Sequence, residues 1–376
     1  MDPWVQRAAV VIAGRAEREL EALVGVSSPS GDVDGAEECA AICVALLPEE
    51  ASVERIQCSS PGHAPDLLAR LAGTGARRVL LLGHVDTVVA TERHKPLRHD
   101  GDHLVGSGSV DMKGGVVLAL GVLRALAARP DAYAEAALLL VCDEEWRTAP
   151  FAHKERFAGW DACLCFEAGE LTPDGGEAVV VRRKAAGTVR VKAHGRSAHS
   201  GSAPERGRNA LLALAAAAQA VAGHNAPDGP DRLTAVPTVL HAGDAFNVVP
   251  GGGELICDLR ADDEAAIVAA VEAIPREHDG VALEPALARL WPGMHSEAAT
   301  EPLLARAGEA LGRPIVGRPR GGASDASHLA ATIPVTVDGL GPRGGKAHNP
   351  GEFVLAPSLA TRAEVALAVT AAALAD

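Results

Sequence analysis

The sequence contains few aromatic side chains. Its 376 residues include five Phe, four Trp and one Tyr, whereas apolar residues make up 48% of the chain. The core is therefore expected to be aliphatic. The short apolar stretch near the N terminus is soon interrupted by Arg15, Glu17 and Arg18, which argues against a signal peptide or a membrane span. We expect a cytoplasmic protein that does not bind membranes.

Basic character and a disulfide pattern are also missing. Asp and Glu number 49 against 35 Lys and Arg, which gives a formal net charge of −14. A nucleic-acid-binding protein is expected to carry a basic stripe, and this sequence has none. The seven cysteines are an odd number and are scattered, which argues against a disulfide framework. Cys163 and Cys165 would share one face of a strand; a thiolate metal pair is one interpretation, and buried small side chains are the better one.

The order of predicted elements indicates a small domain inserted into a larger one. The apolar run from Val79 to Leu82 predicts a strand buried on both faces. Such strands alternate with helices, as in an α/β sheet flanked by helices. The segment 182–292 instead has the order β-α-β-β-α-β, typical of a ferredoxin-like α+β sandwich. We therefore predict one discontinuous domain of residues 1–181 and 293–376, and an inserted domain of residues 182–292.

The individual elements follow from hydrophobic periodicity and from helix-breaking residues. In the larger domain, the predicted elements are helices at 3–24, 34–47, 113–128, 150–157 and 357–374, and strands at 79–83, 136–141 and 162–166. In the inserted domain, they are strands at 187–194, 233–241, 246–261 and 281–288, and helices at 205–222 and 262–277.

Acidic residues and histidines gather at the ends of the predicted elements. They occur in the segments Gly83-His84-Val85-Asp86-Thr87, Ser109-Val110-Asp111-Met112-Lys113-Gly114-Gly115, Cys142-Asp143-Glu144-Glu145, Phe166-Glu167 and Lys346-Ala347-His348-Asn349. Functional groups in open α/β sheets lie outside the carboxyl ends of the strands. We therefore expect these five segments to converge on one site.

The residue types in these segments suit a pair of zinc ions. Two ions about 3.5–4 Å apart need a carboxylate that bridges them, with imidazole and carboxylate ligands on each side. Glu144 remains as a general base for the attacking water. Asp86 is placed to accept the other imidazole N–H of the first histidine. The predicted ligands are His84, Asp111, Glu145, Glu167 and His348, with Co²⁺ or Mn²⁺ as possible substitutes for Zn²⁺.

Each fragment alone has an ordinary structural interpretation. His84-Val85-Asp86 could contain a structural histidine, and Asp143-Glu144-Glu145 could be a solvated acidic turn. His94, His99 and His103 lie in a polar stretch and are expected to be solvated. The prediction of a metal centre therefore depends on the ordered set of five segments.

The same ordered set resembles the two-zinc family of carboxypeptidase G, acetylornithine deacetylase, succinyl-diaminopimelate desuccinylase and aminoacylase. The resemblance extends from about Ser27 to the C-terminal helix. It implies a zinc-peptidase catalytic domain in which Asp111 bridges the metals. It assigns His84 and Glu167 to one zinc, Glu145 and His348 to the other, and the general-base role to Glu144. It also implies a cis peptide bond between Asp111 and Met112.

The inserted segment resembles the lid and dimerisation domain of that family. The motif Gly195-Arg196-Ser197-Ala198-His199-Ser200-Gly201 implies a homodimer formed through this domain, in which His199 polarises the scissile carbonyl at the partner's site. Asn247 and Arg260 match positions that bind the substrate carboxylate. The segment from Gly321 to Ala326 resembles a glycine-rich substrate loop. Further candidate substrate-binding residues are Gly322 and Ser324 in this loop, and Lys184 at the start of the lid.

The resemblance implies metal-dependent hydrolysis of an amide bond next to a free carboxylate. The closest activity is that of a glutamate carboxypeptidase acting on N-acyl amino acids or small peptides. One alternative is a biosynthetic deacylase of the acetylornithine or succinyl-diaminopimelate type. Another is a metal-bearing binding protein without catalysis, against which Glu144 argues because a binding protein needs no general base.

The sequence departs from the family pattern after Asp-Glu-Glu. A small pair such as Gly-Ser is usual there, whereas this chain continues Trp146-Arg147-Thr148-Ala149-Pro150. Thr148 is predicted to cap a helix with Pro150 in its first turn. The departure is expected to change the shape of the pocket near Trp146.

Overall fold

The computed structural model describes residues 1–375, which form two compact units. The larger unit contains Met1–Arg182, His295–Pro319 and the described residues from Ser324 onward. The smaller unit contains Arg183–Met294 and also Arg320–Ala323. Residues 320–323, which the sequence pattern placed in the larger domain, therefore group with the smaller unit. Within residues 1–375, no helix combines the length and apolar character needed to cross a bilayer.

A six-stranded mixed sheet forms the centre of the larger unit. Its three best-buried strands are parallel neighbours, so their carboxyl ends lie at one edge. Leu80, Leu81 and Leu82 are completely buried, as expected of a strand covered by helices on both faces. In spatial order the strands are Ser52–Ile56, Asp66–Ala72, Glu135–Val141, Arg78–His84, Ala162–Cys165 and Thr336–Val337. Smaller sheets contain Arg98–Asp100, His103–Val105, Gly344–Gly345 and Phe353–Leu355, and Glu170–Leu171, Glu177–Arg183, Met294–His295 and Ile315–Arg320.

Helices cover the central sheet. Pro3–Val24 begins at Asp2, whose side chain accepts hydrogen bonds from the backbone N–H groups of Trp4 and Val5. Gly114–Ala127 is apolar on nearly all sides and is almost completely buried. The α-helices of this unit are Pro3–Val24, Val33–Ala45, Gly114–Ala127, Glu297–Leu311, Ala326–Ala330 and Ala356–Leu374.

Gly115 allows the first turn of the helix Gly114–Ala127 to approach the backbone at Phe166. A Cβ atom at Gly115 would lie 1.8 Å from the carbonyl oxygen of Phe166. We expect Gly115→Ala to lower the free energy of unfolding by about 1–3 kcal/mol or more, because the backbone must shift. The control is Gly14→Ala in an exposed helical position, where a Cβ meets nothing within 4 Å; it is expected to stabilise by up to about 1 kcal/mol. Urea unfolding measures both changes, and equal effects would refute this account of Gly115.

The smaller unit has the ferredoxin-like arrangement that its β-α-β-β-α-β order predicts. Its strands are all antiparallel, and Ala185–His194 lies between Gly252–Ala261 and Val281–Trp291. In spatial order the sheet contains Thr234–Ala242, Gly252–Ala261, Ala185–His194, Val281–Trp291 and Glu277–His278. Its helices are Ala210–Gly223 and Glu264–Glu272, and Ala198–His199 pairs with Val248–Val249 outside this sheet. The predicted fold class is confirmed, although helix 205–222 begins later, helix 262–277 is shorter and strand 246–261 is interrupted.

The predicted α-helix at 150–157 is wrong. Only Glu155–Phe157 forms a short 3₁₀ turn. The Thr148 N–H donates to Ser60 Oγ at 2.8 Å, and the Ala152 N–H donates to Ser59 Oγ at 3.0 Å. Because these N–H groups bind side chains from a distant part of the chain, the segment is a loop, and Thr148 caps no helix.

Candidate active site

Three neighbouring strands carry predicted ligands to one edge of the central sheet. His84 is the last residue of the strand Arg78–His84. Glu144 and Glu145 follow the strand on one side, and Glu167 follows the strand on the other side. Because the three strands are parallel, the side chains that follow them lie together.

Asp111 lies between two groups of ligands. Its Oδ1 is 3.2 Å from His84 Nε2, which is also 3.7 Å from Glu167 Oε1. Its Oδ2 is 3.0 Å from His348 Nε2, which is 3.2 Å from Glu145 Oε2. Within each group the ligand atoms lie within 4.8 Å of one another. Asp111 thus presents one carboxylate oxygen to each group, as a bridging ligand would.

The donor atoms of this cluster fit a pair of metal ions. Two imidazole nitrogens and three carboxylates are a nitrogen and oxygen set that zinc accepts. Glu145 Oε1 is buried and has no hydrogen-bond partner among residues 1–375. A buried carboxylate oxygen without a partner is costly, and a cation beside it would remove that cost.

The backbone around Asp111 is held by a residue that the sequence patterns did not single out. Glu352 is buried, and its carboxylate accepts hydrogen bonds from the N–H groups of Gly108, Val110 and Asp111 at 2.8–3.0 Å. The peptide bond between Asp111 and Met112 is cis, which confirms that expectation. The only local signal for Glu352 is its position shortly after His348 in His-Asn-Pro-Gly-Glu.

Asp86 connects the first predicted ligand with the Asp-Glu-Glu segment. Its carboxylate oxygens accept the backbone N–H groups of Glu144 at 3.1 Å and Glu145 at 3.0 Å. His84 Nδ1 is 3.0 Å from the Asp86 carbonyl oxygen and 3.4 Å from Asp86 Oδ1. Since the carbonyl can only accept, Nδ1 carries a proton, and Nε2 faces Asp111 and Glu167. Asp86 therefore orients the imidazole mainly through its backbone and fixes the Glu144 turn through its side chain.

The charged cluster shifts the pKa values of the histidines and of Asp111. Hydrogen bonds to Asp111 and Glu145 raise the pKa of His348 to about 10. Burial lowers the pKa of His84, but its hydrogen bonds to Asp111 and Asp86 outweigh burial and raise the pKa well above the usual value. Burial raises the pKa of Asp111, but hydrogen bonds from both histidines outweigh it, so the pKa falls below its usual range.

Glu144 differs from the ligands. Burial raises its pKa well above the usual value; His84 opposes the rise, while Glu167 and Asp325 add to it. Within residues 1–375, the Glu144 carboxylate forms no hydrogen bond or ion pair. A partly buried carboxylate with a raised pKa beside a metal-ligand cluster has the properties expected of a general base.

The smaller unit presents His199 and Asn247 on exposed segments. His199 Nδ1 accepts the backbone N–H groups of Gly201 and Ser202, each at 3.1 Å. Its proton therefore lies on Nε2, so the ring can donate a hydrogen bond. The backbone carbonyl of Asn247 accepts the N–H of Ser200 at 3.0 Å, which ties the two segments together.

The other predicted substrate-binding residues already have partners in this structure. Arg260 Nε is 3.0 Å from Asp258 Oδ2, and its Nη1 is 3.4 Å from the Gly321 carbonyl. Lys184 donates to the Arg232 carbonyl, and the Gly322 carbonyl accepts from Arg183 at 2.6 Å. Ser324 is completely buried, and its hydroxyl donates to Asp338 at 2.6 Å.

The remaining cysteines and histidines do not join the cluster. All seven cysteines are free and buried, including Cys163 and Cys165, and neither belongs to a metal-binding group found among residues 1–375. His94 Nε2 contacts the Val24 carbonyl at 2.9 Å, and His103 stacks on Phe353. His94 is partly buried and so is less solvated than the sequence indicated, whereas His99 and His103 are exposed, as expected.

The chain is similar to known proteins over more than half of its length. It is 28% identical over 252 residues to carboxypeptidase G2 of Pseudomonas sp., covering 65% of this chain and 59% of that protein. It is 32% identical over 242 residues to a succinyl-diaminopimelate desuccinylase of Methylorubrum extorquens, covering 57% of this chain and 60% of that protein. The matches thus span about three-fifths of these relatives' length.

Solved structures show the same fold. The crystal structure of the aminopeptidase PepT from Bacillus cereus superimposes with a TM-score of 0.76 at 21% identity, covering 96% of this chain and 98% of that chain. Residues 80–372 match the family described as peptidase family M20/M25/M40, which is most of the chain and includes all five predicted metal ligands. The chain belongs to the peptidase family M20/M25/M40.

Proposed function

We propose that this protein hydrolyses an amide bond next to a free carboxylate, at a centre that holds two zinc ions. The observation that carries the proposal is Asp111, whose two oxygens face two separate His–carboxylate groups. Glu144 adds a carboxylate beside this cluster. His84, Asp111 and Glu167 would hold one ion, and Asp111, Glu145 and His348 the other.

When bound, the two ions would lower the pKa of a shared water and polarise the substrate carbonyl. Glu144 accepts the proton of the attacking water and returns it to the leaving nitrogen. Asp86 keeps the Glu144 backbone in place through its hydrogen bond to that N–H. Glu352 does the same for Asp111. The chain thus holds both its base and its bridging ligand before substrate arrives, which lowers the cost of reaching the transition state.

The proposed substrate is an N-acyl amino acid or short peptide with a free carboxylate. Arg260 is the proposed carboxylate-binding residue, because a guanidinium presents a fork of donors that matches a carboxylate; Asn247 assists it. Arg260 would exchange its present partner Asp258 for the substrate. The likeness to carboxypeptidase G2 supports a carboxypeptidase activity. The likeness to succinyl-diaminopimelate desuccinylase supports the alternative, a deacylase activity.

A screen with matched substrates tests the proposal. The zinc-loaded protein is assayed for amine release from N-acyl glutamates, N-acetylornithine, N-succinyl-diaminopimelate and dipeptides. Each substrate is paired with its carboxylate amide or ester. The free acids are expected to be hydrolysed, and the forms with a blocked carboxylate are expected to be hydrolysed much more slowly. Absence of hydrolysis across the panel, or equal rates with blocked carboxylates, would contradict the proposal.

We further propose a homodimer formed through the smaller unit. The edge strand Thr234–Ala242 exposes Val236, Val239 and Leu240, each by 38–48%. An exposed apolar edge strand in a soluble protein is suited to pairing with a second copy. In such a dimer the partner subunit's His199 would donate its Nε2 proton to the developing oxyanion.

His199→Ala is expected to lower turnover by about 10²–10³-fold, the usual loss for one oxyanion donor, with metal content unchanged. Mixing it with Glu144→Gln chains provides the sharper test. Half of the dimers are then mixed, and each has one complete site, so about a quarter of wild-type turnover is expected. No recovery despite demonstrated subunit exchange would place His199 outside the partner's site.

A further inference from the structure

A buried ion cluster lies directly beside the proposed catalytic turn. Arg147 Nε and Nη2 donate to Asp143 Oδ1 at 3.1 and 2.7 Å. Arg147 Nη1 donates to Asp325 Oδ1, and Nη2 donates to Asp325 Oδ2 at 2.9 Å. The side chains of Asp143, Arg147 and Asp325 are 0%, 2% and 4% exposed. The guanidinium also lies 4.9 Å from the centre of the Phe151 ring.

The cluster connects two segments that are far apart in the chain. Asp143 and Arg147 bracket Glu144 and Glu145, whereas Asp325 begins the short helix Ala326–Ala330. On its other side, the Asp143 carboxylate accepts the Ser60 N–H at 2.9 Å. The guanidinium therefore fixes the residues on both sides of the proposed base and of one proposed ligand.

Stability alone is a weak reason for such a cluster. Removing an arginine and two carboxylates from water costs as much as, or more than, their attraction returns, so apolar replacements are often neutral or stabilising. A bidentate guanidinium does, however, define the distance and angle between two backbones more strictly than apolar contacts do. The location of the cluster indicates that this geometric precision is its role.

We propose that Arg147 is a positioning residue that holds Glu144 and Glu145 in the geometry needed for catalysis and metal binding. This inference rests on the proposed function. Asp86 accepts hydrogen bonds from the N–H groups of Glu144 and Glu145. Arg147, at the end of the same turn, connects that turn to Asp325. Without Arg147 the turn keeps the Asp86 bonds but loses its connection to Asp325.

The test uses a variant in which the charges are removed together, so that no buried charge is left unpaired. Arg147→Met with Asp143→Asn and Asp325→Asn is expected to fold, because no buried charge is left unpaired; its urea midpoint is expected to fall only modestly, since the two buried amides lose their partner. Its kcat is expected to fall about 10²-fold, with a much smaller change in KM, because a displacement of about 1 Å at the reacting groups has that effect. Its zinc affinity is expected to fall about 10–100-fold.

Two further variants make the result specific. Arg147→Lys keeps the charge but not the fork of donors. On a logarithmic scale, it is expected to show more than half of the triple variant's loss of kcat and of zinc affinity. The control is Arg124→Met with Glu19→Gln, which removes a partly buried pair with a 2.7 Å contact about 15 Å along the helix from Gly114. Its kcat and zinc affinity are expected to stay at wild-type values.

The measurements separate this inference from the proposed function. If the wild type hydrolyses nothing in the panel but the triple variant still binds zinc more weakly, the positioning role stands and the proposed reaction fails. A folded triple variant with wild-type kcat and wild-type zinc affinity would overturn the positioning role. Equal losses in the Arg124 control would also overturn it, because the effect would then be general to buried ion pairs.

Discussion

Glu144→Gln is expected to reduce kcat by about 10²–10⁴-fold, the usual contribution of general acid–base catalysis. The substitution keeps the shape of the side chain and removes its ability to accept a proton. Because Glu144 belongs to neither ligand group found around Asp111, both metal ions are expected to remain. Metal analysis and steady-state kinetics on the same preparation provide the measurement.

Glu155→Gln is a suitable control for Glu144→Gln, since Glu155 lies in the 3₁₀ turn Glu155–Phe157 of the following loop. It is expected to keep wild-type kcat and metal content. Loss of a metal ion from Glu144→Gln with turnover retained would identify Glu144 as a ligand and require a different base.

Asp111→Ala is expected to remove both metal ions and to reduce turnover by about 10³–10⁴-fold, which corresponds to several kcal/mol of transition-state stabilisation. The reason is that each oxygen of Asp111 serves a different ligand group. Replacement of Glu167 or His348 alone would instead weaken the binding of mainly one ion.

Asp102→Ala, at an exposed position, is the matched control for Asp111→Ala. Equilibrium dialysis against zinc measures the stoichiometry of both variants, and circular dichroism checks the fold. Retention of two tightly bound ions by Asp111→Ala would contradict a bridging role.

Most of the fold was predictable because local patterns and packing agree. The run from Val79 to Leu82 predicted a buried strand, and Leu80 to Leu82 are completely buried. The β-α-β-β-α-β order predicted the ferredoxin-like unit, and the structure joins its main strands in one antiparallel sheet. The helix at 150–157 was predicted from local signals alone, but serine side chains from residues 59 and 60 take the N–H groups at Thr148 and Ala152.

The predicted ligands could be found because they lie at the ends of predicted elements, in an order along the chain that resembles a known family. The groups that hold them could not be found in that way. Glu352 acts on Asp111 across 241 residues, and Asp325 acts on Arg147 across 178 residues. No local periodicity links such pairs. Arg147 stands out in the sequence only as a departure from a pattern, and its proposed role follows from its buried partners.

Zinc titration of the metal-free protein, with metal uptake and amide hydrolysis followed in the same samples, is the most direct test of the two-metal account. The substrate is the best free-acid N-acyl amino acid from the panel. Uptake of two ions per chain is expected, with amine release appearing as the sites fill and staying near background in Asp111→Ala. Full hydrolysis by the metal-free protein in the presence of a chelator would contradict the account. So would two bound ions with no hydrolysis of any substrate.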